Sequence, residues 1–553
     1  MTGSDSHPFD LLTEPWLPVR TISGETVELS LREVFGKAHD LVAISGDLAT
    51  QDVALLRLLL AVLHRAVGGP RDLDHWEQLW SGKELPHARI EDYLDSHRDR
   101  FALFHPETPF FQVAGLRTAK GETAELSKLI ADVPNGHPFF TTRLGSDLSL
   151  SFAEAARWVV HCQAFDPSGI KTGPVDDPRT KGGRGYPIGT GWAGRVGSVL
   201  VEGATLRDTL LLNLIASDFG DTARSPGDDL PAWERPVALP GGTRDPSGPL
   251  DLYTWQARRI RLVPDNGKVT SVLICNGEAI DTKNRHNDEP LTAWRRSAAQ
   301  EKQHRLPQVY MPRQHDPSRA IWRGLQSLLP AAFENSVQNA TAASGLTAVV
   351  LDWVSGLTLE GALPGDFPLR LRTVGMKYGS KDAVTEDIVD DALSLHAVLL
   401  RQDAVELVGT VLSCVSAAEQ AARALGQLAL NVAQAAGKSP PKPSGANPSD
   451  VSDRDRATEL AYGQLDIAFR KWIPGLGPKT DPTQAQREWH HNVKQEIDPL
   501  GDDILARAPA VAITGRQVGG RLVTAAHAQS WFYLALSKAI PMAFDRGPQG
   551  SSS

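Results

Sequence analysis

From about Asp391 to Gly437 the chain reads DALSLHAVLLRQDAVELVGTVLSCVSAAEQAARALGQLALNVAQAAG, an Ala- and Leu-rich stretch whose apolar residues recur at helical spacing. A helix of that length with an apolar stripe needs other helices to cover it. Three follow: DRATELAYGQLDIAFRKWI, QAQREWHHNVKQEIDPLGDDIL and AAHAQSWFYLALSKAI. Together they predict an antiparallel four-helix bundle over 389–545. KSPPKPSGANPSD, near 438–452, is too rich in Pro, Ser and Gly to pack and reads as a mobile linker, while residues 546–553 read as a disordered tail.

The preceding part, 1–388, has a different texture. FDLLTEPWLPVR followed by ISGETVELSLREVF reads as strand, Gly-centred turn, strand and helix start. Asp47 to Val67 is apolar over most of a helical surface and predicts a buried core helix. Beyond Gly69, short helices such as Ser151 to Phe165 and Thr205 to Ser217 alternate with long stretches rich in Gly, Pro, Asp and Arg. Long loops in compact domains tend to be functional or disordered. The expected class is therefore α+β: a large irregular mixed N-terminal domain, then the bundle.

The formal net charge is −9, so any nucleic-acid contact must be local. Cys162, Cys275 and Cys414 stand far apart and outside any zinc-type spacing, which argues against disulfides and a structural metal. His490 and His491, with Glu488 and Glu496 nearby, read as a solvated helix face, because adjacent histidines diverge by about 100° around a helix. No apolar run approaches the ~18 residues of a membrane helix. No signal segment opens the chain, and the expected location is cytoplasmic.

Gly189, Gly191 and Gly194 in GTGWAG match G-x-G-x-x-G, but a Gly- and Pro-broken loop precedes them where a buried strand is needed, so a flexible loop is the expectation. Gly437, Lys438 and Ser439 resemble the end of a P-loop without its first glycine and read as linker. No G-x-S-x-G or H-E-x-x-H motif occurs, so no catalytic residue, cofactor or metal ligand is assigned. The segment from Asp166 to Arg195 joins many glycines to Lys171, Arg179, Lys181, Arg184 and Arg195, a combination suited to close approach and phosphate attraction. Further basic residues recur at Arg258, Arg259, Arg261, Lys283, Arg285, Arg295 and Arg296; if they converge, they form a local electropositive track.

FDLLTEPWLPV near the start, QAFDPSGIKTG after a helix, LRDTLLLNL, DEPLTAW, and GMKYGSKDAV before the helical region together resemble the CasA family, the large subunit of type I-E Cascade. That resemblance implies a non-enzymatic subunit of an RNA-guided antiviral complex. Its implied partners are guide RNA, double-stranded target DNA, the other Cascade subunits and the helicase–nuclease, with no membrane. It implies recognition of the target-flanking motif through the minor groove and the start of duplex opening. The implied DNA-binding residues are a glycine loop, Ser168, Gly169, Ile170, Lys171, Thr172 and Gly173, whose small residues suit a groove about 6 Å wide. Lys283, with Arg285 as rival, is the implied groove-entering cation. Ser380, Lys381, Asp382 and Ala383 form the implied wedge hairpin, with Asp382 near the tip where relatives commonly carry glutamine. Phe139 and Phe140 are implied to meet guide RNA or a neighbouring subunit. A nucleotide-dependent enzyme built on the glycine-rich segment, or a pure scaffold, are the alternatives.

Overall fold

A computed structural model describes residues 9–131, 133, 148–220, 227–237, 240, 242–332, 345–438 and 452–545. Phe139, Phe140, most of the expected linker and the expected tail lie outside them. The chain divides into two compact units: 1–318 with 339–363 and 369–392, and 319–338 with 364–368 and 393–553.

The first unit opens with an antiparallel sheet in which Leu17–Thr21 pairs with Thr26–Leu29 on one side and Leu41–Ile44 on the other. Trp16 is wholly buried and donates its indole N–H to Leu11 O at 2.9 Å, which satisfies its polar atom inside the core. Ser30 and Glu33 form a capping box on the next helix. Ala49–Val67 is buried on nearly every face, as its composition predicts, and stops where Gly68 adopts φ 76°. It packs against Phe152–Phe165, a helix started by a second capping box from Ser151 and Glu154. Arg258–Asp265 and Lys268–Asn276 form a hairpin closed by Asn266 and Gly267, both at positive φ, as a two-residue Asn-Gly turn requires.

Two expectations are corrected. The helix foreseen from Thr205 to Ser217 is shorter, Leu206–Leu212, because the Asn213 side chain bonds both backbone groups of Val201 and turns the chain back to the strand Ser198–Glu202. Asp391 to His396, foreseen as helical, closes the strand Thr385–His396, so the boundary expected after 388 falls inside a strand. Val389, Leu393 and Leu395 are buried while Asp390 and Ser394 face outward, a period of two that outweighs the helical tendency of the residues around it. This strand, Pro368–Tyr378 and Ser198–Glu202 make one sheet.

In the second unit Val405–Ala435 packs against Asp453–Trp472, Pro482–Ala506 and Ala525–Ala539. Trp489 is fully buried, donates to Cys414 O at 2.8 Å and meets the rings of Phe469 and Trp472. His490 is a further correction: it is 2% exposed, because this helix is covered on two sides and only His491 faces out. Burial lowers the His490 pKa and favours the neutral ring. Among the described residues no His, Cys, Asp and Glu cluster could hold a metal, the three cysteines are free and buried, and no helix is long and apolar enough to cross a membrane.

Candidate nucleic-acid interface

The helix Phe152–Phe165 delivers the chain into the glycine loop at Asp166, its C-cap. Ile170 projects from the loop with 59% of its surface exposed. Gly169 sits at φ 143°, a conformation that a side chain would strain. Lys171 and Thr172 then pair with Gly185 and Arg184 in a short ladder that closes the loop. Lys171 is not a free cation: its ammonium lies 2.5 Å from Asp166, and its side chain is only 16% exposed. Burial alone would push the Asp166 carboxyl up, yet Arg258 and Lys171 outweigh it and hold it below the ordinary carboxylate value.

The hairpin between Pro368–Tyr378 and Thr385–His396 turns through Ser380–Asp382, whose residues are exposed. Lys381 (φ 59°) and Asp382 (φ 54°) are consecutive non-glycine residues in the left-handed region, at roughly 1–2 kcal/mol each. Strain of this kind persists only where surrounding bonds over-determine the backbone. Here Asp382 N–H donates to Gly379 O, Gly379 N–H donates to Val384 O, and Ser168 N–H of the glycine loop donates to Asp382 O at 2.8 Å. Tyr378, at the root of the turn, donates its hydroxyl to Phe165 O at 2.5 Å. Loop and hairpin, more than 200 residues apart in sequence, are thus joined, and a cleft of about 300 Å³ runs between Ser168–Thr172, Ala383–Thr385 and the segment 127–131.

Lys283 lies in a neighbouring loop, 2.8 Å from Asp281. Arg285 is held more firmly, by Asp245 and by Asp288 at 3.5 Å. Burial and Arg258 pull the Arg195 guanidinium below the ordinary arginine value, while Asp382 and Asp281 both lie close enough to push the other way. Arg195 therefore stands within electrostatic reach of both the hairpin tip and the partner of Lys283.

The foreseen electropositive track does not assemble from Arg258, Arg259 and Arg261. Arg258 and Arg259 are buried, on Asp166 and Asp176 respectively, and Arg261 donates to Leu116 O. A buried cation must be paired, so these side chains hold the fold. The GTGWAG glycines also serve packing. A Cβ on Gly191 would lie 2.4 Å from the Ala164 backbone, and one on Gly194 would lie 2.2 Å from the Tyr378 hydroxyl. Asp166, Tyr378 and Arg195 belong to the site although no sequence signal singled out their partners; the glycine-to-tyrosine and loop-to-tip contacts exist only in the fold.

His161 lies under the cleft, with its Nε2 2.9 Å from Thr50 Oγ1, and burial pulls its pKa to about 3. The unfolded chain takes up this proton near pH 6.5 and the folded chain does not, so stability is full above that pH and declines as pH falls toward 3. Between pH 6.5 and 5 we expect His161 to account for up to ~2 kcal/mol of lost stability. Denaturant titrations at pH 7.5 and 5.0 check this; a slope no shallower in His161→Asn than in the parent chain would rule it out.

Residues 10–499 match the model of the family described as CRISPR-associated protein Cse1. The crystal structure of Thermobifida fusca Cse1 is 45% identical, covers 97% of this chain and 98% of its own, and superposes with a TM-score of 0.87. The Acidimicrobium ferrooxidans Cse1 structure is 33% identical over 96% and 98%, with a TM-score of 0.81. The CRISPR-associated protein CasA/Cse1 of Thermus thermophilus is 30% identical over 440 residues, 77% of this chain and 78% of that one. With a family match across most of its length, and relatives of the same fold, the chain belongs to the CRISPR-associated Cse1 family.

Proposed function

We propose that this chain is the large subunit of a guide-RNA surveillance complex that recognises the motif flanking a double-stranded DNA target, chiefly through the minor groove. In this reading it starts duplex opening for guide pairing, helps recruit the helicase–nuclease, works in the cytoplasm and catalyses nothing itself. The observation that carries the reading is the hydrogen bond from Ser168 N–H to Asp382 O, which fixes a small-residue loop beside an exposed, strained turn. A minor groove about 6 Å wide admits such a loop, and a rigid tip can enter an unstacked step that costs a few kcal/mol.

Roles follow from exposure. Lys381 and Asp382 are exposed at the tip; Lys381 attracts phosphate, and Asp382 accepts from a base amine. Lys283, tied to one half-exposed carboxylate, is the cation freer to enter the groove, whereas Arg285 is tied to two. Lys171 positions the loop more than it touches DNA. Phe139 and Phe140 are assigned to guide-RNA or subunit contact. The helices around Val405–Ala435 are assigned as an antiparallel four-helix bundle, supported by the three helices packed on it.

Target-duplex binding by the reconstituted complex, with a permissive or scrambled flanking motif, tests the reading. Omitting the subunit should abolish discrimination, and Lys283→Ala or Lys381→Ala should each weaken permissive binding by about 1 kcal/mol or more. Discrimination that persists without the subunit sinks the proposal.

A further inference from the structure

Beneath the glycine loop lies a buried network that carries the loop and the hairpin tip from below. Arg258 opens the strand Arg258–Asp265 and is 1% exposed. Its Nε donates to Asp166 Oδ2 at 2.5 Å and its Nη1 to Ala257 O at 2.9 Å. Its Nη2 faces three carbonyls, Asp166 O at 3.3 Å, Pro167 O at 3.1 Å and Gly189 O at 2.8 Å. One planar cation thus holds the entrance of the 168–173 loop against the facing turn at Gly189. From the far side of the loop, Lys171 reaches the same Asp166 oxygen at 2.5 Å. The loop is held at its entrance and at Lys171 by one buried cluster, and through Ser168 N–H to Asp382 O and Tyr378 O–H to Phe165 O the hairpin tip is fastened to the same cluster.

We infer that Arg258 is a positioning residue: it locks the glycine loop and the hairpin tip into one geometry, so motif discrimination depends on a side chain that meets no DNA. This rests on the motif-reading role proposed above. Arginine suits the task because its guanidinium presents five donors in a rigid plane, enough for a carboxylate and several carbonyls at once. Lysine keeps the charge but has one rotatable ammonium and cannot span them.

The test uses the full reconstituted complex and permissive and scrambled duplexes. In Arg258→Lys, the permissive-to-scrambled affinity ratio should fall roughly tenfold, by analogy with the lower end of what losing a partner that orients a metal ligand costs at metal sites. Affinity for the scrambled duplex and subunit stoichiometry should stay unchanged. Those two readouts separate lost positioning from a lost subunit, which would weaken both duplexes. Tyr378→Phe, which removes only the tie to Phe165 O, should lower the ratio in the same direction by less, and it decides the matter if the lysine variant fails to assemble. A ratio equal to that of the parent chain in the variants that assemble overturns the inference while leaving the motif-reading role standing. Discrimination that survives omission of the whole subunit overturns both.

Discussion

Glu289→Ala should destabilise the first unit by about 3–5 kcal/mol, because it strands a buried arginine. Arg57, on the core helix Ala49–Val67, meets Glu289 through both carboxylate oxygens, at 2.6 and 3.1 Å, and the two side chains are 1% and 0% exposed. Trp192 adds an indole N–H to Glu289 Oε2 at 2.5 Å, and Arg57 lies 4.7 Å over the Tyr253 ring. Arg57 also donates to Leu252 O. The cluster joins the core helix, the glycine-rich segment and the segment Asp288–Trp294. Removing both charges together, as Arg57→Met with Glu289→Leu, should restore most of the loss, since apolar replacement of a buried pair is often neutral. Denaturant unfolding of the full chain measures both; a single variant as stable as the parent would mean the pair is not desolvated as described.

Gly191→Ala is the second large effect expected. The added methyl would sit 2.4 Å from both C and O of Ala164 and 2.7 Å from Gln163 O, all backbone atoms of a capped helix that cannot yield cheaply. Overpacking of this kind costs about 3 kcal/mol at the upper end of the usual range. The displacement would fall on the end of the helix Phe152–Phe165, where Tyr378 is anchored and the glycine loop begins, so motif discrimination should fail along with stability. The same variant weighs the nucleotide-enzyme alternative. Nucleotide binding by the parent chain that vanishes in a stably folded Gly191→Ala would reverse the assignment of these glycines to packing.

The DEPLTAW segment shows how a recognisable motif can be structural: its Glu289 neutralises Arg57, and its Thr292 hydroxyl donates to Gly197 O. The basic residues show the converse. Arg258 and Lys283 look alike in the sequence, yet one is sealed beneath the loop and the other stands in an outer loop beside Asp281.

Much of this protein is dictated locally. Apolar spacing determines the buried helix Ala49–Val67 and the long helix Val405–Ala435, Ser30 and Ser151 start their helices through their own side chains, and Asn266-Gly267 closes its hairpin, because each of these depends on residues a few positions apart. The family resemblance was equally legible. Which of those residues meet is set only when the chain folds. Asp391 to His396 became strand because the sheet offered a partner and an alternating burial that outweighed its helical neighbours. His490 was drawn inside by helices packing on both sides of its own. The bonds from Ser168 to Asp382, Tyr378 to Phe165 and Arg258 to Asp166 span 214, 213 and 92 positions of sequence, and no local pattern encodes a contact whose two halves are brought together only when the core closes.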